Sequence, residues 1–206
     1  MKTVLVANPK GGSGKSTMST NLAGYLASRD KHVVLSDMDR QRSSTHWLKR
    51  RPEHLPLIHT QDGRGKHMGS LSAQWTIIDS PAGLRNEKLS DAVKAADWVV
   101  VPMQPSAFDI GATEDFLNVL REEKAIRKAR TFVAMVGMRV DSRTKTAMKL
   151  QDFLAEAGFP VITNLRDTQL YMQAAEQGIS LFDMSPSKVK RDMQEWGPLL
   201  HWLINT

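Results

Sequence analysis

Short apolar runs alternate with amphipathic stretches along most of the chain. Residues 3–7, 32–37, 75–79, 98–103, 130–139 and 161–166 are rich in Val, Ile, Leu and aromatic residues. Several of these runs lack polar alternation, which is the pattern of strands covered on both faces. Between them, residues 15–29 carry Leu22, Ala23, Leu26 and Ala27 at helical spacing, and 86–96 carry Leu89, Val93 and Ala96. The same period predicts a short helix over 43–51 with Trp47 and Leu48 on one side and a solvated basic end at Lys49-Arg50-Arg51. It also predicts a long helix over 110–128 and a helix over 143–157 with Ala147, Leu150, Phe153 and Leu154 inward. Residues 52–72 read as a loop with one short edge strand around Leu55-Pro56-Leu57-Ile58. The last helix is expected to begin near Ser187. It carries Val189, Met193, Trp196, Leu199, Leu200 and Leu203 as an apolar stripe, with an interruption at Pro198. Strands alternating with helices predict an α/β fold, a mostly parallel twisted sheet with helices on both faces. A length of 206 residues suits a single domain over 1–206.

Composition removes several possibilities. There is no cysteine, which excludes disulfides, thiolate catalysis and cysteine-held metal centres. His54, His59 and His67 lack metal-ligand spacing. No apolar run approaches the roughly 20 residues of a membrane span, and no leader-like segment precedes the first strand, so a cytoplasmic protein is expected. Lys and Arg number 28 against 22 Asp and Glu, a formal net charge of +6. Such an excess supports salt-sensitive attraction to nucleic acid without establishing it.

The stretch Asn8 to Thr17, N-P-K-G-G-S-G-K-S-T, carries the most specific chemistry. A glycine-rich turn between a strand and a helix lets successive backbone N–H groups and the helix N-terminus face phosphates together. Gly11, Gly12, Ser13, Gly14, Lys15, Ser16 and Thr17 are therefore nucleotide-binding candidates. Lys15 would reach the β- and γ-phosphates, and the Ser16 hydroxyl would hold Mg²⁺. Lys10 stands before the glycines, on the outer lip, better placed to reach a nucleotide across a dimer interface. Two acidic strand ends follow. Asp37-Met38-Asp39-Arg40-Gln41 closes one run, and ligands gather beyond the carboxyl ends of parallel strands. A carboxylate there, Asp39, could orient the water that attacks a γ-phosphate. Trp75-Thr76-Ile77-Ile78-Asp79 delivers a second carboxylate, Asp79, suited to hold Mg²⁺.

With Lys10 included, K-G-G-S-G-K-S resembles the deviant Walker A signature of the ParA/MinD family of ATPases. D-M-D-R-Q resembles that family's D-x-D-P-Q segment with Arg40 in place of proline, and D-S-P-A-G resembles its Walker B switch. The likeness extends faintly beyond Met138, which stands where many relatives have asparagine for reading adenine. The resemblance implies an ATPase using ATP and Mg²⁺, with catalytic roles for Lys10, Lys15 and Asp39. It also implies an ATP-dependent homodimer in which Lys10 contacts the partner's nucleotide. Arg166 is its candidate for contact with non-specific DNA; Lys188, Lys190 and Arg191, and more weakly Lys145 and Lys149, are candidates from charge alone. Without an extension before the first strand, the chain falls with the small ParA-like members. The expected function is segregation or positioning of a plasmid, chromosome or protein assembly over the nucleoid, with a ParB-like or adaptor protein stimulating hydrolysis. A MinD-like ATPase that meets membrane through its last helix and an ATP-dependent metabolic ligase are the alternatives; the regular stripe on that helix favours core packing over membrane.

Overall fold

A computed structural model describes residues 1–62, 73–141 and 143–206. Residues 63–72, with His67, lie outside the described residues, as do the side chains of Ala147, Lys149 and Leu154. In chain order the elements are β1 (Lys2–Val6), α1 (Lys15–Ala27), β2 (Val33–Asp37), α2 (Ser43–Lys49), β3 (Ile58–Asp62), β4 (Trp75–Asp79), α3 (Asn86–Ala95) and β5 (Trp98–Met103). They continue with α4 (Ala107–Glu122), α5 (Lys124–Arg127), β6 (Phe132–Gly137), α6 (Lys145–Glu156), β7 (Val161–Asn164), α7 (Leu170–Gln177) and α8 (Pro186–Asn205). A 3₁₀ turn, Leu181–Asp183, links the last two helices.

The strands form one seven-stranded sheet in the order β3-β2-β4-β1-β5-β6-β7. Every pairing is parallel. The expected architecture is therefore present, with the sheet entirely parallel. Alternation along β1 divides the interior: Val4 and Val6 join one apolar cluster with α1, α2, α7 and α8, while Leu5 and Ala7 join another with α3, α4, α5 and α6. Both faces of the central strands are covered, which explains why their sequences read as unbroken apolar runs. At the amino ends of the strands Trp75 and Trp98 stack with ring centroids 5.5 Å apart, and the Lys2 ammonium lies over both rings.

Four local expectations need correction. The edge strand begins where it was expected to end: Ile58 is buried against Val33, whereas Leu57 is exposed and Pro56 uses its carbonyl to accept from Arg51 Nε. The helix expected over 110–128 starts at Ala107 and breaks at Glu123, whose backbone is extended. Ser90 Oγ donates to the Glu123 carboxylate at 3.0 Å, a contact with another helix that a local pattern cannot show. The last helix starts with proline in its first turn, a position that needs no N–H, and it runs unbroken through Pro198. Val189, Trp196, Leu199, Leu200 and Leu203 are buried on both sides of that proline, so packing overrides the local penalty. Finally, Arg51 is not a solvated helix end. Its guanidinium forms a bidentate pair with Asp183 at 3.0 and 3.1 Å, with side chains only 5% and 2% exposed. Among the described residues no helix is long and apolar enough to cross a membrane.

Candidate nucleotide site

The phosphate loop leaves the sheet from β1, between β4 and β5. Asn8 fixes its start: the buried side-chain amide donates to the Pro102 carbonyl at 2.9 Å and to Thr113 Oγ1 at 3.3 Å, and Oδ1 accepts from the Lys10 N–H at 2.8 Å. Gly12 and Gly14 adopt φ of 78° and 100°, conformations open to glycine and strained for other residues. A side chain on Gly14 would also meet the Met138 methyl at 2.9 Å. Gly14 caps α1, and Lys15 opens it. Gln104 closes the loop from the end of β5, its side-chain amide donating to the Gly12 carbonyl at 2.5 Å.

Lys15 is buried, and its ammonium donates to the Lys10 carbonyl at 2.7 Å. Burial lowers its pKa, opposed by the carboxylates of Asp79 and Asp39. A cation held in so little water is primed for an anionic partner. Asp37 and Asp79 are register partners at the carboxyl ends of neighbouring strands. Asp37 accepts from the Asp39 N–H at 3.0 Å and from the Thr45 N–H and hydroxyl at 2.8 and 3.0 Å. Asp79 accepts from Ser44 Oγ at 2.5 Å through Oδ2, while Oδ1 is buried without a hydrogen-bond partner. Burial raises the Asp79 pKa to about 6, against the pull of Ser44 and Ser16. Asp39 is half-buried and oriented by the Gln41 N–H, which donates to its Oδ1 at 2.9 Å.

Of these groups Lys15, Asp39 and Gln41 border a cavity of about 510 Å³, while Asp37 and Asp79 lie behind its wall, almost fully buried. Gly11, Gly12, Gly14, Lys15, Ser16 and Thr17 form one wall, and Asp39 and Gln41 face them. Met138, packed against Gly14, lines it too, together with Arg139, Thr168, Gln169 and Tyr171. Lys10 is not among the residues that wall it. A side chain built on Gly11 or Gly12 would meet nothing within 4 Å, so the backbone there is open to a ligand. Among the described residues no group of three or more His, Cys, Asp or Glu could hold a metal by itself. A cation here would share its coordination between Ser16, the orphaned Asp79 oxygen and the ligand's own oxygens, which is how Mg²⁺ travels with a nucleotide. The donors, the buried cation and the orphaned carboxylate fit a nucleoside triphosphate with Mg²⁺.

The basic candidates lie elsewhere. Arg166 follows β7, and its guanidinium is bound to the Asp192 carboxylate at 2.9 and 3.0 Å. Its backbone N–H donates to Glu195, which also accepts from Arg191 Nε at 3.2 Å. Lys188, Lys190 and Arg191 are exposed on the first half of α8, and Lys188 Nζ donates to Gln173 at 3.1 Å. Lys145 is exposed at the start of α6. Sequence reasoning missed Asn8, Gln104, Ser44 and Thr45 as parts of the site. Ser-Ser-Thr at the start of a helix was the available signal for the last two.

Residues 4–181 match the CobQ/CobB/MinD/ParA nucleotide binding domain family. A maintenance of carboxysome distribution protein A from Halothiobacillus neapolitanus is 26% identical over 190 residues, covering 88% of this chain and 87% of that protein. Protein ParA from Rhizobium radiobacter is 32% identical over 171 residues, covering 79% and 76%. Among solved structures, apo McdA from Cyanothece superposes with a TM-score of 0.74 at 18% identity, covering 97% and 99%. The loop after β1, the two acidic strand ends and this likeness along most of the chain have one meaning: the chain belongs to the CobQ/CobB/MinD/ParA nucleotide-binding family, as an ATPase that uses ATP and Mg²⁺.

Proposed function

We propose that two copies of this chain close over two ATP molecules, hold DNA without sequence preference, and let go after hydrolysis, positioning a cargo over the nucleoid of the cytoplasm. The observation that carries this reading is the division of labour between two lysines of one loop. Lys15 is buried in the wall of its own cavity, whereas Lys10 is only half-buried and does not line it. A cation held outside its own site is free to neutralise phosphates bound by a second copy. A single domain over 1–206 suffices for this, since both apolar clusters share one sheet.

Each residue then has a task. Backbone N–H groups from Gly11 to Thr17, including that of Ser13, cradle the phosphates. Lys15 neutralises charge that develops on the β- and γ-phosphates, and Lys10 adds charge from the other copy. Ser16 and Asp79 would hold Mg²⁺, which supplies further neutralisation of the phosphate oxygens when bound. Asp39 orients the attacking water. The exposed Lys188 and Lys190, with Arg191, offer DNA a cationic surface on α8, supported by the net charge of +6. Arg166, committed to Asp192, contributes by holding that surface in shape. The carboxysome-distribution relative supports a positioning role with a protein assembly as cargo, and a ParB-like or adaptor protein would stimulate hydrolysis.

Sedimentation with ATP and Mg²⁺ tests the central step. Wild type should dimerise and Lys10→Ala should remain monomeric; a dimer formed equally by Lys10→Ala overturns the role of this lysine. Asp39→Ala should bind ATP and lose turnover. Retention of DNA on a filter should require ATP and fall steeply with salt, and the absence of any ATP-dependent retention would remove DNA from the reading.

A further inference from the structure

The first turn of α2 sits on the acidic strand ends in a way that nucleotide binding alone leaves unused. Asp37 and Asp79 end neighbouring parallel strands in register, and both are almost fully buried, 2% and 1% exposed. Two successive residues of the helix answer them one each. Ser44 Oγ donates to Asp79 Oδ2 at 2.5 Å, and Thr45 donates through both its N–H and its hydroxyl to Asp37 Oδ2. Adjacent strands are about 4.8 Å apart, a gap that consecutive side chains on a helix can straddle. Ser44 is itself 0% exposed, so its hydroxyl proton is committed to this acceptor rather than shared with water.

The bond has a directional consequence. A carboxylate with one oxygen held cannot rotate freely, and holding Oδ2 leaves Oδ1 as the oxygen with no hydrogen-bond partner. Burying an unpaired carboxylate oxygen is costly in the absence of a cation, and that cost is relieved when one binds. We infer that Ser44 is a positioning residue for the divalent cation: by holding Oδ2 it presents Oδ1 of Asp79, so that affinity for the cation, more than affinity for the nucleotide, depends on this hydroxyl. Thr45 has the parallel but separate task of steadying Asp37, whose other oxygen receives the Asp39 N–H. The inference rests on the proposed assignment of Asp79 to the cation.

Equilibrium binding separates the two. The probes are Mn²⁺, counted by its electron paramagnetic resonance signal, and fluorescent ADP with Mn²⁺ or with a chelator. A charge-assisted hydrogen bond is lost in Ser44→Ala, so Mn²⁺ should bind the protein·ADP complex about 10-fold or more weakly. ADP affinity in chelator should stay within about twofold, and Thr45→Val, in the same turn, should weaken Mn²⁺ binding clearly less than Ser44→Ala does, since a merely structural fault in α2 would move both variants alike. Wild-type Mn²⁺ affinity in Ser44→Ala overturns the inference, and so does an equal loss in Thr45→Val. Should Ser44→Ala fail to fold, Ser44→Cys, of similar shape and a weaker donor, replaces it, with the same two outcomes. Asp79→Asn distinguishes the levels. If it too binds Mn²⁺ normally, the assignment of Asp79 falls; if it loses Mn²⁺ while Ser44→Ala does not, the assignment stands and the positioning role falls.

Discussion

Asp79 and Asp183 are carboxylates withdrawn from water in the same molecule, yet they are displaced in opposite directions. The pKa of Asp79 rises to about 6. That of Asp183 falls: burial works to raise it, and the donations from Arg51 and Ser180 outweigh the burial. The difference lies in the partners. Asp183 receives both arms of the Arg51 guanidinium together with the Ser180 N–H and hydroxyl. Asp79 accepts the Ser44 hydroxyl on Oδ2, the Ser16 hydroxyl pulls in the same direction, and Oδ1 is left without a hydrogen-bond partner. A buried charge completed from within the chain serves the fold, whereas one left incomplete awaits a ligand. Lys15 belongs with Asp79 in this respect, since burial lowers its pKa and its ammonium rests on a neutral carbonyl.

The contrast can be broken most forcefully on the structural side. Arg51→Ala leaves Asp183 buried without its cation and should cost about 3–5 kcal/mol of stability, seen in denaturant melts. Folded molecules should still bind ATP with wild-type affinity, and a specific loss of that affinity would erase the division. Lys15→Ala should do the reverse, lowering turnover about 10²–10³-fold with little change in melting temperature. A third test uses pH on the nucleotide-free protein. Because the folded pKa of Asp79 is raised from 3.8 to about 6, its contribution to stability is full below 3.8 and is lost as pH rises through 6, about 3 kcal/mol in all. Asp183 behaves oppositely: its contribution is present above 3.8 and is lost as pH falls through its lower folded value. Asp79→Asn should therefore flatten the decline between pH 4 and pH 6, and Asp183→Asn should flatten the acid limb below 3.8; urea melts carried from that acid limb up past pH 6 read both. The smallest effect is expected from Ser180→Ala, which removes one hydroxyl donor from Asp183 and should cost about 1–2 kcal/mol.

These two regions also differ in how far they could be read from the sequence. The places of the phosphate loop, Asp39 and Asp79 in the fold were legible because they are written locally, as a glycine pattern after a strand and as acids at strand ends. The apolar runs gave the parallel sheet for the same reason, since a strand covered on both faces must be apolar at every position. The pairing of Arg51 with Asp183 spans 132 residues, and nothing near either residue announces it. Arg166 is a candidate for DNA contact by resemblance, and its pairing with Asp192, a turn of α8 away from Glu195, is equally invisible to local sequence. The break at Glu123 and the continuity through Pro198 are equally non-local: the Glu123 side chain accepts from Ser90 of another helix, and a buried stripe carries α8 across its proline. Ser44 and Thr45 looked like ordinary helix-start residues. Only the register of β2 with β4 brings two carboxylates beneath them.

The Arg51 pair has a mechanical meaning as well. α2 is tied at its beginning to the sheet through Ser44 and Thr45, and just past its end to the Leu181–Asp183 turn through Arg51. Trp47, buried between those ends, donates its indole N–H to the Ile179 carbonyl. A rod bolted at three points works as a jig and cannot serve as a lever. The chain therefore reaches a fixed helix through the short span from Met38 to Arg42, and Arg42 makes the entry with a backbone φ of 55°.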